Sequence, residues 1–283
     1  MSKPPWLRQK LPVVMGILNL TPDSFSDGGE LVRIDDVLRR AERMVTAGAA
    51  LLDLGAVSTR PGAPEVSEEE ELRRLLPALD AVLREGFGAV SVDTFRPAVA
   101  HAALLAGASM INDVYGARQP GMLKVLGEHK PWVCVMHMKG SPQTMQKGAI
   151  AYQDVVEQVA AWLDESAGAV VAAGVPQDYV LVDPGIGFGK TDAHNLALTL
   201  GCQRLASRTG CAVLYGASRK SIIGRLAAVD APKKRLPGSL SLLGGAYRSG
   251  ARVFRVHDVE ETVQFLTLER ALLEANDLAA ADE

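Results

Sequence analysis

Three cysteines, five histidines and an aromatic content of 5% in 283 residues leave little material for several kinds of protein. Cys134, Cys202 and Cys211 are odd in number, lack metal-ligand spacing and lie in or beside apolar segments, so neither a disulfide framework nor a zinc module is expected. Reduced, packed thiols point instead to a cytoplasmic setting. Long apolar runs are also missing. The longest small-apolar stretch, near Ala167 to Val175, is far too short to span a bilayer. Met1 to Lys10 holds prolines, a tryptophan and positive charge without an apolar core, so no secretory signal is expected. Charge of one sign is scarce: 30 Lys and Arg stand against 33 Asp and Glu, for a net charge of −3, which offers no broad basic field to nucleic acid. The short basic cluster Lys233 to Arg235 reads as a solvated loop.

What the chain does have is alternation. Apolar runs of strand length alternate with longer stretches of helical period, as in an α/β fold with a parallel sheet. Strands are expected at Pro12–Leu20, Leu51–Ala56, Ala89–Phe95, Met110–Val114, Trp132–His137, Tyr179–Asp183, Ala212–Gly216 and Arg252–His257. Helices are expected at Asp35–Ala47, Glu68–Arg84, Pro97–Ala106, Gly121–Gly127, Tyr152–Ala173, Ala193–Ala206, Ser221–Ala227, Ser239–Ser249 and Val259–Asn276. Ser67 with Glu70 reads as a capping box, Asp192 stands at an N-cap position, and Glu68–Glu71 reads as first-turn charge set against the helix dipole. Eight such units average about 35 residues each, which suits one domain over residues 1–283.

A doubly wound open sheet shows the same alternation but gathers its ligand groups at one switch point. Here every strand end is polar: Asn19, Asp53, Asp93, Asn112, His137, Asp183, Ser218, and the pair Arg255 and His257. A closed (β/α)8 TIM barrel delivers all of them to one mouth, and it is the preferred architecture.

The loops after the first two strands, Asn19–Gly29 and Ser58–Ala63, are rich in Gly, Ser, Pro and Asp. Either alone is ordinary turn chemistry, but Phe25 at the tip of a polar loop needs a ligand or a lid to bury against. Val182-Asp-Pro-Gly-Ile-Gly-Phe-Gly-Lys190 places three glycines and Phe188 beside the Asp183 carboxylate; its spacing is neither a dinucleotide fingerprint nor a P-loop. Gly216-Ala-Ser-Arg-Lys-Ser221 opens a helix with hydroxyls and cations, which suits an anion. Asp93, Asn112 and Asp183 suit an amide-rich heterocycle, while Arg60, Lys220, Arg255 and His257 suit negative charge. Asp53 has even claims to a binding role and to positioning a neighbouring cation, and His137 to a ligand role and to a supporting one. His101, His129 and His194 read as ordinary helix or turn residues.

Taken together these residues resemble the dihydropteroate synthase family. The resemblance spans nearly the whole chain, through Met15-Gly-Ile-Leu-Asn-Leu-Thr-Pro-Asp-Ser-Phe-Ser-Asp-Gly-Gly29, Ser58-Thr-Arg-Pro-Gly-Ala63, Val92-Asp-Thr94, Ile111-Asn-Asp-Val114, Met136-His-Met138, Asp183-Pro-Gly-Ile-Gly-Phe-Gly189, Ser218-Arg-Lys-Ser221 and Arg255-Val-His-Asp258. One departure stands out: Val57 occupies the place of a usual Glu, which puts in question the charge network supporting the second loop and the response to sulfonamides.

The resemblance implies a homodimeric barrel that joins 4-aminobenzoate to 6-hydroxymethyl-7,8-dihydropterin diphosphate with Mg²⁺. It assigns Asp93, Asn112, Asp183, Lys220 and Arg255 to the pterin. Asn19, Arg60, Arg255 and His257 fall to the diphosphate, with Asn19 also on Mg²⁺. Phe25, Thr59, Pro61, Phe188, Lys220 and Ser221 fall to the aminobenzoate. A methyltetrahydrofolate:corrinoid methyltransferase shares this kind of pocket but has no need of a diphosphate grip. A non-catalytic pterin-binding paralogue is the other alternative, motivated by Val57.

Overall fold

The computed structural model describes residues 12–20, 34–58, 66–140 and 150–281. Eight parallel strands close on themselves in sequence order: β1 (Val13–Asn19), β2 (Leu51–Gly55), β3 (Ala89–Asp93), β4 (Met110–Asp113), β5 (Trp132–Met136), β6 (Val180–Asp183), β7 (Ala212–Tyr215) and β8 (Val253–Val256). β8 pairs back onto β1, with Met15 opposite Arg255. The outer helices are α1 (Ile34–Thr46), α2 (Glu68–Arg84), α3 (Pro97–Leu105), α4 (Met122–His129), α5 (Val155–Ala172), α6 (Asp192–Leu200), α7 (Cys202–Thr209), α8 (Ser221–Ala227), α9 (Leu236–Arg248) and α10 (Val259–Ala281). The expected TIM barrel is the fold observed.

Strand periodicity positions the site. Successive side chains alternate between the barrel interior and the helix layer. Met15, Leu51, Met110, Cys134, Leu181, Leu214 and Val253 form one buried cluster that plugs the interior. The opposite faces, including Val14, Leu18, Leu52, Leu54, Val90, Val92 and Val182, pack under the helices. Two residues beyond the plug on the same faces come Asp53, Asn112, Asp183 and Arg255, so an apolar floor is followed directly by a polar layer.

Three strands end one residue earlier than expected, at Met136, Tyr215 and Val256. His137 and His257 therefore lie one residue past their strands and Ser218 three, held by hydrogen bonds from the His137 N–H to the Asp183 carbonyl at 3.0 Å and from the His257 N–H to Ser218 Oγ at 3.2 Å. The helix expected at Ala193–Ala206 is two helices, α6 and α7, divided at Gly201. A Cβ there would lie 2.9 Å from Val156 Cγ1, so α5 packs against bare backbone at the break.

Asp192 is not the cap of α6. Thr191 is, with a full capping box in which His194 Nδ1 accepts from the Thr191 N–H, and Asp192 pairs with Arg225. Ser67 does cap α2, accepting from Glu70 N at 3.2 Å, but Glu70 turns its carboxylate to Arg73 and Arg74, so only half of the expected box forms. Arg235 is no solvated loop residue either: it donates to the carbonyls of Val229, Asp230 and Arg219. All three cysteines are free and buried. Among the described residues no helix is long and apolar enough to cross a membrane.

Candidate active site at the barrel mouth

Arg255, inward on β8, spans the polar layer. Its Nε lies 2.5 Å from Asp53 Oδ2 and one terminal nitrogen 2.7 Å from Asp93 Oδ2, while Asn112 Nδ2 donates to Asp53 Oδ2 at 3.3 Å. Asp53 is wholly buried, and its Oδ1 has no hydrogen-bond partner among the described residues. Burial pushes the Asp93 carboxyl up to about 7, against the pull of the Arg255 charge. Asp53 thus takes the positioning part of its two expected roles, holding the cation from behind.

Across the mouth, Asp183 ends β6 and accepts from the Gly185 N–H at 2.7 Å. Gly185 is required there: its φ is +67°, and a Cβ would fall 1.9 Å from the His137 carbonyl. Burial raises the Asp183 carboxyl, while Lys220 and the Gly185 N–H pull it back. Lys220 donates to the Ile186 carbonyl at 2.5 Å and stands 4.6 Å from the centre of the Phe188 ring. Burial pulls the Lys220 ammonium down to about 8, with Asp183 opposing. Phe188 also packs on Val114, Met136 and Met138, with Phe95 and Tyr115 nearby. Phe188 was expected as a wall of the site, while Val114, Met136 and Met138 behind it were not, because apolar residues beside polar strand ends read as ordinary core.

Ser218-Arg-Lys-Ser221 is held from behind. Arg219 adopts a left-handed backbone, φ +60°, costly for a side-chain-bearing residue. Its guanidinium pairs with Asp258, its N–H donates to Ser239 Oγ at 3.0 Å, and its carbonyl accepts from Arg235 at 3.1 Å. Those ties fix the turn from which Lys220 and Ser221 enter α8. Ser221 is its exposed first residue. Ser218 Oγ lies 3.0 Å from His257 Nδ1 and accepts from the His257 N–H at 3.2 Å, which orients the imidazole at the rim.

Asp93, Asn112, Asp183, Lys220 and Arg255 are thus delivered to one end of the barrel, with Phe188, Ser221, His257 and Asn19 around it. Asn19 is the half-buried last residue of β1, paired in register with Gly55, which has no side chain to cover it. Phe25, Thr59, Arg60 and Pro61 lie outside the described residues.

Two supporting groups escaped the sequence reading. Lys190 is 2% exposed, donates to the Phe188 and His137 carbonyls at 3.0 and 3.3 Å, and meets His137 Nδ1 at 2.9 Å. His137 is accordingly the supporting group of its two alternatives. Glu71, expected as surface charge in a first turn, is buried instead: it accepts from Thr94 Oγ1 at 2.7 Å and pairs with Arg96, which also donates to the Val66 carbonyl at 2.5 Å. This ties the exit of the second loop to β3, while Val57 lies half-buried two residues beyond β2.

The family described as pterin binding enzyme matches residues 15–257. The dihydropteroate synthase of Escherichia coli (strain K12) is 44% identical over 94% of this chain and 93% of its own length. The chain belongs to the dihydropteroate synthase family of pterin-binding enzymes. It is an enzyme, a transferase. Among solved structures, the Yersinia pestis dihydropteroate synthase in a sulfonamide drug complex has a TM-score of 0.87 at 41% identity, covering 94% of this chain and 95% of that one. The Xanthomonas albilineans dihydropteroate synthase with 4-aminobenzoic acid has a TM-score of 0.86 at 43% identity, covering 93% and 94%. This family membership leaves the corrinoid methyltransferase and the non-catalytic paralogue without support.

Proposed function

We propose that the barrel mouth condenses 6-hydroxymethyl-7,8-dihydropterin diphosphate with 4-aminobenzoate, giving 7,8-dihydropteroate and diphosphate. The observation that carries this reading is that carboxylates and cations share one polar layer at the mouth. Arg255 is paired with Asp93 at 2.7 Å, Asp183 and Lys220 act on each other's charge across the layer, and His257 stands just past β8. A pterin presents N–H donors to the carboxylates and its diphosphate can be drawn by the cations.

In this account Asp183, Asn112 and Asp93 hold the ring edge, with Lys220 as a further donor and the Arg255 guanidinium laid along the ring. The aminobenzoate stands against Phe188 and the Lys220 stem, with Ser221 at the start of α8 meeting its carboxylate, and with Phe25, Thr59 and Pro61 completing the walls. Arg60 joins Arg255, His257 and Asn19 at the diphosphate. The C–O bond to diphosphate breaks first. Positive charge spreads from the methylene into the ring, where the carboxylates of Asp93 and Asp183 stabilise it. The arylamine nitrogen then forms the new C–N bond and gives up one N–H proton to the departed diphosphate or to water, and no side chain is needed as a covalent nucleophile.

The donor set fits Mg²⁺ carried by the substrate. Asn19 offers a neutral oxygen beside the bare backbone of Gly55, while the nearby Asp53 and Asp93 are engaged with Arg255. Mg²⁺ keeps most of its shell as water and phosphate oxygens, and when bound it would neutralise charge building on the leaving diphosphate.

We also read residues 1–283 as one such domain, working as a homodimer in the cytoplasm. The exposed Leu268 and Leu272 on α10 and the three free, buried cysteines support those readings. The test is turnover: purified chain with Mg²⁺ and dihydropterin diphosphate should release diphosphate and form dihydropteroate only when 4-aminobenzoate is added. Diphosphate release at the same rate without the arylamine would overturn the condensation.

A further inference from the structure

Two of the five histidines are in direct contact on the outer ring of helices. His101 lies on α3 and His129 is the last residue of α4, next to Glu128. His129 Nε2 stands 2.9 Å from His101 Nδ1, with the rings edge-on at 69° and their centres 4.9 Å apart. Such a contact needs one hydrogen between two nitrogen lone pairs, which is where a cation can take the hydrogen's place. Ligand atoms of His101, Glu128 and His129 all lie within 4.8 Å of one another.

We propose that His101, Glu128 and His129 form a binding site for a borderline-soft divalent cation of the Zn²⁺ class, clamping α3 to α4. Two imidazoles and one carboxylate make a recurrent zinc ligand set, with water filling the fourth position. The same set is a poor match for Mg²⁺ or Ca²⁺, which prefer oxygen ligands. Tetrahedral ligands at zinc bond lengths lie about 3.3 Å apart, so the two nitrogens separate slightly and the Glu128 oxygen closes in. Side-chain rotation supplies that adjustment. Both histidines are half-buried, Glu128 is exposed, and its ion pair with Lys124 is loose at 3.9 Å. The site also caps the C-terminal end of α4, where the helix dipole favours positive charge.

The cluster lies apart from the catalytic groups. α4 runs back from the mouth and its end leads through Lys130 into the start of β5, at the stability face of the barrel. The ion would therefore stabilise the scaffold and take no part in group transfer.

The test is Co²⁺ titration of the full chain in excess Mg²⁺, which occupies hard oxygen sites. One equivalent should bind with visible absorption typical of tetrahedral nitrogen and oxygen ligands, without the strong near-ultraviolet band of thiolate ligation. His101→Gln and His129→Gln should abolish that absorption. Glu128→Gln, at an exposed position that does not threaten folding, should weaken Co²⁺ binding at least as much as the roughly 10-fold that loss of a supporting group costs a metal site. Zn²⁺ should raise the melting temperature of the parent chain and not of the histidine variants, while turnover with Mg²⁺ stays the same in all of them. No Co²⁺ absorption in the parent, or equal absorption and affinity in the variants, would overturn the site.

Discussion

Arg255 Nε lies 2.5 Å from Asp53 Oδ2, a contact between β8 and β2 across the barrel interior. Asp53 is fully buried, and Arg255 reaches on to Asp93 at 2.7 Å. The guanidinium plane is thereby oriented before any substrate arrives, and orientation fixed in advance costs nothing at the moment of reaction.

Asp53→Asn tests that arrangement. It keeps the shape but removes the charge behind Arg255, and breaking one side of a buried pair costs about 3–5 kcal/mol of stability. Affinity for dihydropterin diphosphate should fall together with the melting temperature. A destabilised variant with unchanged affinity in calorimetry would show that Asp53 supports the barrel and not the position of Arg255.

Lys190→Met tests the link between the fifth and sixth loops. Its loss leaves the carbonyls of Phe188 and His137 without their donor, at about 1–3 kcal/mol for each group left unpaired. Because Phe188 faces the proposed aminobenzoate pocket, KM for 4-aminobenzoate should rise more than KM for the pterin. Equal increases would contradict a role through Phe188.

His137 carries a pH signature. Burial, and then the Lys190 charge, lower its imidazole from 6.5 to about 3. Below pH 6.5 the unfolded chain takes up a proton that the folded chain refuses until about pH 3, so this group makes stability fall as pH drops through that window. In NMR titrations the His137 ring should remain neutral at pH 5. Protonation near 6.5 would refute its burial against Lys190.

Glu71→Gln should loosen the exit of the second loop. It leaves Arg96 without its buried charge partner, and with it the hold on the Val66 carbonyl. Stability should drop by about 3 kcal/mol, with amide hydrogen exchange accelerated from Val66 to Glu70. Unchanged exchange there would locate the support of the start of α2 elsewhere.

The barrel was legible because strand periodicity is local. Leu51 and Asp53, or Met110 and Asn112, are two residues apart and must share a face, so plug and polar floor are both readable from a single strand. Motifs confined to one loop, such as Asp183–Gly189, were legible for the same reason. Partnerships across the fold were not. Arg255 and Asp53 are 202 residues apart, Glu71 and Arg96 are 25 apart, and nothing in a one-dimensional pattern distinguishes the buried Glu71 from its exposed neighbours Glu68 and Glu69. Lys190 looked like the end of a glycine-rich loop, because a lysine's burial depends on three acceptors supplied by folding.

The most direct measurement of the central claim, that the polar layer above the apolar plug is the pterin floor, is calorimetric titration of Asp183→Ala with dihydropterin diphosphate. Removing the carboxylate should leave the heterocycle's N–H groups unpaired and cost about 1–3 kcal/mol or more, a loss of roughly 10- to 100-fold in affinity. Affinity equal to that of the parent chain would contradict the assignment of the barrel mouth as the pterin site.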